Sequence, residues 1–462
     1  MNPMSNHSIN LIYLLSATLF MLGIKYLSSP NTAKRGNLLS MIGMAAAIGI
    51  TLTTPGLHGF TLIIIGIIIG TVIGGYAALK VKMTSMPEMV ALFNGCGGAA
   101  SALVAMAEFR GPNTEFDSFT LITLLLSMII GGLTFTGSLM AYAKLQDLIS
   151  TRPITYPGQQ FINGAIVLVT LVLASLLFQD PSNTLVFFGI LALSLSLGVL
   201  AVIPIGGADM PVIICLLNSY SGLAVSMTGF ALNNNALIIT GSLVGASGII
   251  LTKIMCDAMN RSLANVLFSA FGKIIESADD TGEGPTGTIK GYEVEDVATI
   301  LANAGSLIIV PGYGMAAAQA QHATRELGDY LGEQGVNVRY AIHPVAGRMP
   351  GHMNVLLAEA DVPYEQLFAL EDINDDFAGT DVVLVIGAND VVNPAAKTNP
   401  SSPIYGMPVL DVEKATTVIV LKRSMSVGFA GIENELFFMD NTMMLFGDAR
   451  SSLQKLVATL KQ

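Results

Sequence analysis

The chain has 462 residues, of which 52% are hydrophobic and only 12% are charged. Such a composition excludes an ordinary soluble globular protein and predicts several segments buried in a lipid bilayer. The formal net charge of −11 leaves no basic surface suited to a phosphate backbone, so no nucleic acid partner is expected.

Nine long apolar runs follow one another along the first 260 residues. Each holds about 18 to 25 residues, enough for a helix to cross roughly 30 Å of hydrocarbon. We predict nine membrane-spanning helices, at Ile9–Leu27, Leu38–Thr54, Phe60–Leu79, Met86–Ala107, Phe119–Leu145, Phe161–Phe178, Leu185–Pro204, Pro211–Leu232 and Ala236–Met259. Three cysteines lie inside these runs and are interpreted as small buried side chains, and no metal site is expected.

Basic residues predict the orientation of these spans, because connections rich in lysine and arginine remain on the cytoplasmic side. Three alternate connections carry such pairs: Lys34 and Arg35, Lys80 and Lys82, and Lys144 and Arg152. This pattern puts the N-terminus outside and the C-terminal part in the cytoplasm. Residues 1–260 are thus predicted to form a transmembrane domain. An amphipathic segment and linker are predicted at 261–290.

From about Gly291 onward, short β-branched runs alternate with helical stretches. The predicted strands are Ser306–Val310, Val336–Ile342, Asp381–Ile386, Thr416–Leu421 and Thr442–Phe446. This alternation is typical of a parallel sheet with helices on both faces. Residues 291–462 are therefore predicted to form an α/β, Rossmann-like, doubly wound domain.

The first predicted strand runs directly into a glycine-rich turn, and a helix is expected to follow through about Gly332. The turn reads Gly312-Tyr313-Gly314-Met315-Ala316-Ala317. Glycines at such a turn let the backbone approach a pyrophosphate closely at the N-terminus of a helix. The motif predicts a dinucleotide site, and a plain sheet-to-helix turn is the alternative.

The type of dinucleotide is indicated by the ends of two strands. The second strand ends at Ile342 and is followed by His343-Pro344, so no acidic residue stands there to accept a ribose 2′-hydroxyl, which disfavours NAD. A later strand ends in Lys422-Arg423-Ser424, where two cations and a hydroxyl could hold a 2′-phosphate. The alternative is a solvated basic strand end.

Two further segments are expected at the same edge of the sheet. The strand Asp381–Ile386 leads into Gly387-Ala388-Asn389-Asp390. The Asp390 carboxylate is either an ionisable group near the cofactor or a cap of the loop that follows. The loop that follows the second predicted strand is interpreted as a mobile ligand clamp. It contains Gly347, Arg348, Met349 and Pro350.

Two predicted spans begin alike, with a Met-Pro pair followed seven residues after the proline by an asparagine. Asn94 and Asn218 should therefore lie at one depth in the membrane, about 10 Å from the same end. A matched polar pair suggests an internal repeat with a polar site between the halves, whereas simple contact between helices is the alternative. Glu88 and Asp209 stand at the mouths of these helices, as proton relays or as helix caps.

With these motifs the chain resembles, over nearly its whole length, the beta subunits of bacterial proton-translocating transhydrogenases of the Re/Si-specific class. The motifs that carry the resemblance are Met86-Pro87-Glu88, Gly207-Ala208-Asp209-Met210-Pro211, Asn218-Ser219-Tyr220-Ser221-Gly222, Gly312-Tyr313-Gly314-Met315, Gly347-Arg348-Met349-Pro350-Gly351-His352-Met353-Asn354, Gly387-Ala388-Asn389-Asp390 and Lys422-Arg423-Ser424.

The resemblance implies a multi-pass protein of the bacterial inner membrane with a cytoplasmic NADP(H) domain. It also implies an alpha-subunit partner that binds NAD(H), so that hydride passes directly between the nicotinamides, and an assembly that is a dimer of heteromers in membrane lipid. In such proteins the Gly312 turn lies at the pyrophosphate, Lys422-Arg423-Ser424 at the 2′-phosphate and Asp390 at the nicotinamide side. The stretch Gly428–Phe438 would be a lid over the nucleotide.

One position departs from part of the family. Some members have a histidine on the fourth span that is proposed to carry the proton, and Asn94 stands at the matching place here. An amide orients water but holds no proton at neutral pH, so Glu88, Asp209 or Asp390 is expected to change charge instead. One charge crossing about 100 mV yields about 2.3 kcal/mol, enough to shift a product ratio roughly fifty-fold.

Two other functions would join many spans to one dinucleotide fold. The first is an ion channel or secondary transporter gated by a nucleotide-sensing domain, for which no potassium-type filter sequence is found. The second is a membrane scaffold whose α/β domain only docks partners. The basic strand end beside an intact glycine turn favours the transhydrogenase over both.

Overall fold

The computed structural model of the chain describes residues 6–27, 30–53, 59–111, 116–151, 153–268, 289–349 and 351–462. Contacts divide the chain into two compact units. The first comprises the described parts of Met1–Val81, Glu88–Pro204 and Ile213–Thr252. The second comprises the described parts of Lys82–Pro87, Ile205–Val212 and Lys253–Gln462.

Among the described residues, nine helices are long and apolar enough to span a membrane, which confirms the predicted number. They are α1 Asn6–Leu27, α2 Pro30–Leu52, α3 Phe60–Lys80, α4 Met86–Phe109, α5 Ser118–Leu145, α6 Gln159–Gln179, α7 Thr184–Val202, α8 Met210–Ala231 and α9 Asn235–Ala258. The largest difference from prediction is at α2, which begins eight residues before the apolar run does. A proline suits the first helical position, so the helix extends through a polar first turn.

Burial within the first unit is uneven. In α8, about 72% of the residues in an apolar stretch of 18 residues are buried, whereas in α3 no residue of the corresponding stretch is buried. The backbones of α4 and α5 are in contact where these helices cross. A Cβ on Gly98 would lie only 2.7 Å from the Gly131 carbonyl oxygen, so glycine is needed there. Towards the far end of this crossing, the rings of Phe109 and Phe187 stack with centroids 3.8 Å apart. The interior of this unit is therefore formed by α8 together with α4, α5 and α7.

The second unit contains a sheet of six parallel strands in the order β3-β2-β1-β4-β5-β6. The strands are β1 Ser306–Pro311, β2 Asn337–Ile342, β3 Leu367–Ala369, β4 Val382–Ile386, β5 Thr417–Lys422 and β6 Thr442–Phe446. Five of them were predicted to within one residue at their starts and ends, and β3 was not. This edge strand has only three residues and no β-branched side chain, so no pattern distinguishes it from a loop.

Helices cover both faces of this sheet, which confirms the doubly wound α/β fold. The helices after the spans are α10 Leu263–Phe268, α11 Val294–Ala302, α12 Tyr313–Ala317, α13 Gln321–Glu333, α14 His352–Glu359, α15 Leu370–Ile373, α16 Ala395–Thr398 and α17 Ala449–Leu460. Two buried apolar clusters form, one on each face, and β1 contributes Ile309 to one and Ile308 to the other. Successive side chains of the strand point to opposite faces of the sheet, so β1 contributes to the apolar cluster on each face.

The helix predicted from the glycine turn to Gly332 is in fact broken into α12 and α13. Gln319 adopts a left-handed conformation with φ of 51°. The N–H groups of Gln319 and Ala320 donate to the carbonyl oxygens of Ala316 and Met315, which is the hydrogen-bond pattern of a Schellman C-cap. Ala320 is completely buried, so the break turns the chain into the core.

Candidate functional site

The strand order reverses between β1 and β4, and the loops that follow these two strands meet at the carboxyl edge of the sheet. The Gly312 N–H donates to the Ile386 carbonyl oxygen over 2.9 Å, and the Gly314 N–H donates to the Gly387 carbonyl oxygen over 2.9 Å. The glycine turn after β1 is therefore joined to the loop after β4 by backbone hydrogen bonds.

This contact explains why glycine stands at positions 312 and 314 of the turn. A Cβ on Gly312 would lie 2.4 Å from Ala388 Cα, and a Cβ on Gly314 would lie 2.7 Å from Gly387 Cα. Gly387 itself has a φ of 63°, which favours glycine. The glycines predicted to approach a ligand also let the two loops approach each other. Met315 and Ala316, predicted as cofactor contacts, are buried in the core beneath the turn.

A cavity of about 440 Å³ opens over this edge, within the size range of small-molecule and cofactor sites. It brings together four predicted segments that are far apart in the sequence. From the sheet domain, its lining includes Gly312, Tyr313, Gly314, Gly347, Gly387, Ala388, Asn389, Asp390, Lys422, Arg423, Ser424 and Gly428. Arg348 and Met349 are partly buried and Ala317 is exposed, and none of these three predicted contacts lines the cavity. Pro350 lies outside the described residues.

One wall of the cavity is the basic end of β5. Lys422 lies with its Nζ 4.8 Å from the centre of the Phe437 ring and donates a hydrogen bond to the Ser426 carbonyl oxygen. Burial lowers the pKa of Lys422, although the nearby Asp390 opposes this shift. Arg423 is exposed and makes no ion pair with the described residues. The Ser424 hydroxyl lies 2.8 Å from that of Ser426.

The end of β2 is closed by a histidine whose hydrogen bonds are all directed into the protein. His343 is 2% exposed, its Nε2 lies 2.7 Å from the Pro408 carbonyl oxygen, and its Nδ1 accepts from the Val345 N–H over 3.2 Å. Burial lowers the pKa of His343 to about 4, so the ring is neutral and Nε2 carries the proton. No acidic group takes this position, so it offers no carboxylate to a ribose hydroxyl.

Asp390 faces the segment after β5. Its Oδ2 accepts a hydrogen bond from the Ala430 N–H over 3.0 Å, and its Oδ1 is sealed from solvent without a donor among the described residues. Burial raises the pKa of Asp390 above its usual range, and the N–H groups of Ala430 and Phe429 together with Lys422 oppose the rise. A carboxyl group in this setting holds a proton more readily than one in water.

Two side chains from other loops lie against the ring of Tyr313 in the glycine turn. The Arg348 guanidinium lies 4.4 Å from the centre of the Tyr313 ring, and the Phe429 ring centre lies 5.9 Å from it. His352 is fully buried, and its Nδ1 accepts from the Arg348 N–H over 3.1 Å. Burial, aided by the Arg348 charge, lowers the pKa of His352 to about 4. The neutral His352 ring therefore positions the loop that contains Arg348, and it places no charge at the cavity.

The segment Gly428–Phe438, predicted to be a lid, is packed into the sheet domain at its C-terminal end. Leu436 and Phe437 are buried in the core of the sheet domain, so this end of the segment is fixed. Only the part before Asn434 projects over the cavity, where a Cβ on Gly428 would lie 2.3 Å from Asp390 Oδ1. The segment is thus closed against Asp390 by contacts that only a glycine permits.

Two asparagines that sequence reasoning missed hold the base of this lid. Asn434 is 1% exposed, and its Nδ2 donates to the Asn389 carbonyl oxygen over 3.0 Å. Asn393 is completely buried, and its Nδ2 donates to the Glu433 carbonyl oxygen over 3.0 Å. Their only sequence signal is capping, since each side chain also accepts an N–H two residues later.

In the first unit, Asn94 joins three helices. Its Nδ2 donates to the Ser138 hydroxyl of α5 over 2.9 Å, and its Oδ1 accepts from the Ser221 hydroxyl of α8 over 2.7 Å. The structure therefore pairs Asn94 with Ser221, three residues beyond Asn218. Among the described residues, Asn218 makes no side-chain hydrogen bond.

The carboxylates predicted at the helix mouths are both largely buried. Glu88 is 5% exposed in the first turn of α4. Asp209 is 8% exposed, and both of its carboxylate oxygens lie 2.9 Å from Arg261 Nη1. Burial raises the pKa of Asp209, and Arg261 opposes the rise. Lys144, taken as a loop residue for the orientation, is a buried residue of α5 whose Nζ donates to the Ile203 carbonyl oxygen over 2.6 Å.

These features define a multi-span membrane protein that carries a dinucleotide-binding type of fold. The family model described as NAD(P) transhydrogenase beta subunit matches residues 9–459. Two relatives from Rhodospirillum rubrum, both named NAD(P) transhydrogenase subunit beta, are 50% identical over 462 residues, which cover 98% of this chain and 99% of theirs. The chain belongs to the NAD(P) transhydrogenase beta-subunit family. It is a membrane protein with an oxidoreductase role and nicotinamide nucleotide binding, and its family implies an alpha-subunit partner.

Proposed function

We propose that this chain binds NADP(H) and couples hydride transfer to proton translocation. Hydride passes directly between NADP(H) on this chain and NAD(H) on the alpha subunit, in the Re/Si-specific manner. The proton gradient normally drives formation of NADPH from NADH. Catalysis depends on the partner, because the reaction needs a second nicotinamide nucleotide, which we assign to the alpha subunit.

The observation that carries this proposal is the chemistry of the cavity walls. Lys422 and Arg423 stand at the end of β5, and the end of β2 carries the neutral His343 in place of a carboxylate. Two cations attract a 2′-phosphate, whereas an acid at β2 would accept the free 2′-hydroxyl of NAD. The donor set therefore fits the phosphorylated dinucleotide.

The other cavity residues fit the rest of the same cofactor, which supplies the nicotinamide ring that gives or takes hydride. The Gly312 turn admits a pyrophosphate at short range. Arg348 lies against the ring of Tyr313, which follows Gly312, and its guanidinium is suited to phosphate oxygens. Asp390 and Asn389 line the other side, where Asp390 holds or releases a proton beside the nicotinamide. The lid residues before Asn434 exclude water once they are closed.

Coupling requires that a proton bound in the membrane part changes how tightly the lid holds NADP(H). Asn94 orients the pathway through its bonds to Ser138 and Ser221 but holds no proton. Glu88, Asp209 and Asp390 are the groups that change charge. Raised pKa values of Asp209 and Asp390 support this assignment, because each then titrates closer to neutral pH.

We further propose a division into a transmembrane domain at 1–260, a connecting segment at 261–290 and an NADP(H) domain at 291–462. The chain lies in the bacterial inner membrane with its N-terminus outside and the NADP(H) domain in the cytoplasm. Pairs of basic residues in alternate connections support this orientation. Two such heteromers form the working assembly.

The test compares nucleotide affinities of the purified full-length chain in detergent. NADPH should bind at least roughly tenfold more tightly than NADH, which is the worth of about one good charged contact. The same preparation, reconstituted in vesicles with its alpha subunit, should exchange hydride and change the internal pH together. Equal affinities for the two nucleotides would refute the assignment of NADP(H) to this chain, and hydride exchange indifferent to an imposed gradient would refute coupling.

A further inference from the structure

A second polar cluster lies deeper in the first unit than Asn94. The Ser127 hydroxyl of α5 lies 2.7 Å from the Thr228 hydroxyl of α8 and 3.3 Å from the Ser101 carbonyl oxygen of α4. Ser127 is completely buried, and Ser101 and Thr228 are 4% and 6% exposed. We call Ser101, Ser127 and Thr228 the far layer, and Asn94, Ser138 and Ser221 the near layer.

The two layers lie on one seam between the same three helices. Asn94 and Ser101 are seven residues apart on α4, and Ser221 and Thr228 are seven apart on α8. Seven residues of an α-helix make two turns less about 20°. The two members of each pair therefore lie on the same face of their helix, about 10.5 Å apart along its axis. The α5 pair, Ser138 and Ser127, is eleven residues apart, or three turns plus about 20°, in the opposite direction.

Only small groups separate the two layers. Gly98 and Gly131 bring α4 and α5 into backbone contact there, and a Cβ on Gly131 would lie 2.6 Å from the Gly98 carbonyl oxygen. On α8 the intervening position is Ala224, which is completely buried. The backbones are too close at this crossing to admit a wide pore.

The far layer can hold its protons in two ways. In one, Thr228 donates to the Ala224 carbonyl oxygen at 2.9 Å and Ser127 donates to Thr228. In the other, Ser127 donates to the Ser101 carbonyl oxygen and Thr228 donates to Ser127. Each hydroxyl has one proton and two lone pairs, so both arrangements satisfy both groups.

The contact between the hydroxyls is therefore not needed to satisfy either one. If Thr228 lost its hydroxyl, Ser127 would still donate to Ser101, and without Ser127 the Thr228 hydroxyl would still donate to Ala224. A role in stability alone explains each hydroxyl with its own carbonyl acceptor. It does not explain why the two oxygens lie 2.7 Å apart on the seam that contains the near layer.

We propose that Ser127 and Thr228 form a second proton-relay site, through which protons move between the near layer and the opposite membrane surface. This proposal rests on the proposed proton-translocating function. A proton that arrives at Ser127 Oγ forms a new O–H bond as the original Ser127 proton passes to Thr228 Oγ1. In the same event Thr228 releases its own proton to a water molecule on the side of the opposite membrane surface, and rotation of both hydroxyls restores the starting arrangement.

The experiment uses the full-length chain reconstituted in vesicles with its alpha subunit. Thr228→Val keeps the shape of the side chain and removes the hydroxyl, whereas Thr228→Ser keeps the hydroxyl and removes a methyl group. The control is Ser194→Ala on α7, because Ser194 is equally buried and its hydroxyl donates to the Ile129 carbonyl oxygen. Proton movement is followed with an internal pH dye during net NADPH-driven hydride transfer. Hydride exchange between NADH and an NAD analogue through bound NADP, which needs no release of NADP(H), serves as a measure of intact folding.

We expect Thr228→Val to slow proton movement and net transfer roughly a hundredfold or more, since a positioned proton-transfer group typically contributes about 10²- to 10⁴-fold. The exchange through bound NADP should stay within about twofold of the unmodified chain, and Thr228→Ser and Ser194→Ala should pump normally. Normal pumping by Thr228→Val would overturn the relay site. Equal losses in Thr228→Val and Thr228→Ser would overturn it too, because they would indicate packing. If the unmodified pair transfers hydride without moving protons, the proposed function itself fails.

Discussion

Replacing the basic end of β5 tests whether the cavity recognises a 2′-phosphate. In Lys422→Met the methionine keeps the unbranched stem that packs on Phe437 and removes the charge. Lys422 is half-buried, so its contact with a phosphate should be worth about 1.5–3 kcal/mol, or a loss of roughly 10- to 150-fold in NADPH affinity. Arg423 is exposed, and Arg423→Ala should cost only about 0.2–1 kcal/mol.

The assay is the ratio of NADPH to NADH dissociation constants, measured by titration of the purified full-length chain. The ratio isolates the 2′-phosphate, because any loss from the broken bond between Lys422 and Ser426 weakens both nucleotides alike. Lys455→Ala, an exposed lysine on α17 away from the cavity, should leave the ratio unchanged. If Lys422→Met weakens NADH as much as NADPH, the lysine supports the lid and not the phosphate, and the reasoning is refuted.

Three further predictions follow from single contacts. Asn94→Ala removes the bonds to two other helices and should reduce proton translocation about tenfold in vesicles, with an NADPH dissociation constant within about twofold of normal; equal effects on both would contradict it. Asp390 has a raised pKa in the folded chain, so its stabilising contribution is present at acid pH and is lost as pH rises through the folded pKa. Asp390→Asn should therefore melt at a higher temperature than the unmodified chain at pH 7 and lose that advantage near pH 4; the opposite order would show that the carboxylate is stabilised as an anion. Gly428→Ala places a methyl group on Asp390 Oδ1 and should accelerate NADP(H) release roughly tenfold in stopped-flow displacement, whereas Gly332→Ala, where the methyl group meets nothing within 4 Å, should not.

Much of the fold follows from the sequence because it depends on local periodicity. An apolar run of sufficient length predicts a span wherever it occurs, and the nine spans were predicted on that basis alone. The buried β-branched strands were predicted for the same reason, and so was the glycine turn at the end of β1. The failures were also local. β3 is too short to carry a pattern, and the break at Gln319 arises in a residue that rarely adopts a left-handed conformation.

The candidate site could be predicted only as separate pieces. The sequence indicates Gly312, Asp390 and Lys422 as ends of strands, and the order of parallel strands brings such ends to one edge. It does not indicate that Asn434 would hold the lid, since that contact joins residues 45 positions apart in the chain. Nor does it show that Gly428 would lie against the Asp390 carboxyl group.

The sequence by itself determined which segments cross the membrane, which form the sheet and which motifs stand at strand ends, because these properties depend on neighbouring residues. Only the tertiary structure decided that Asn94 would bond to Ser221 and not to Asn218, and that Ser127 would contact Thr228, which is 101 positions away in the chain. Such contacts depend on how helices rotate and cross, which is set by the packing of whole faces. The pKa of Asp390 was decided at the same level, because burial is a property of the assembled chain.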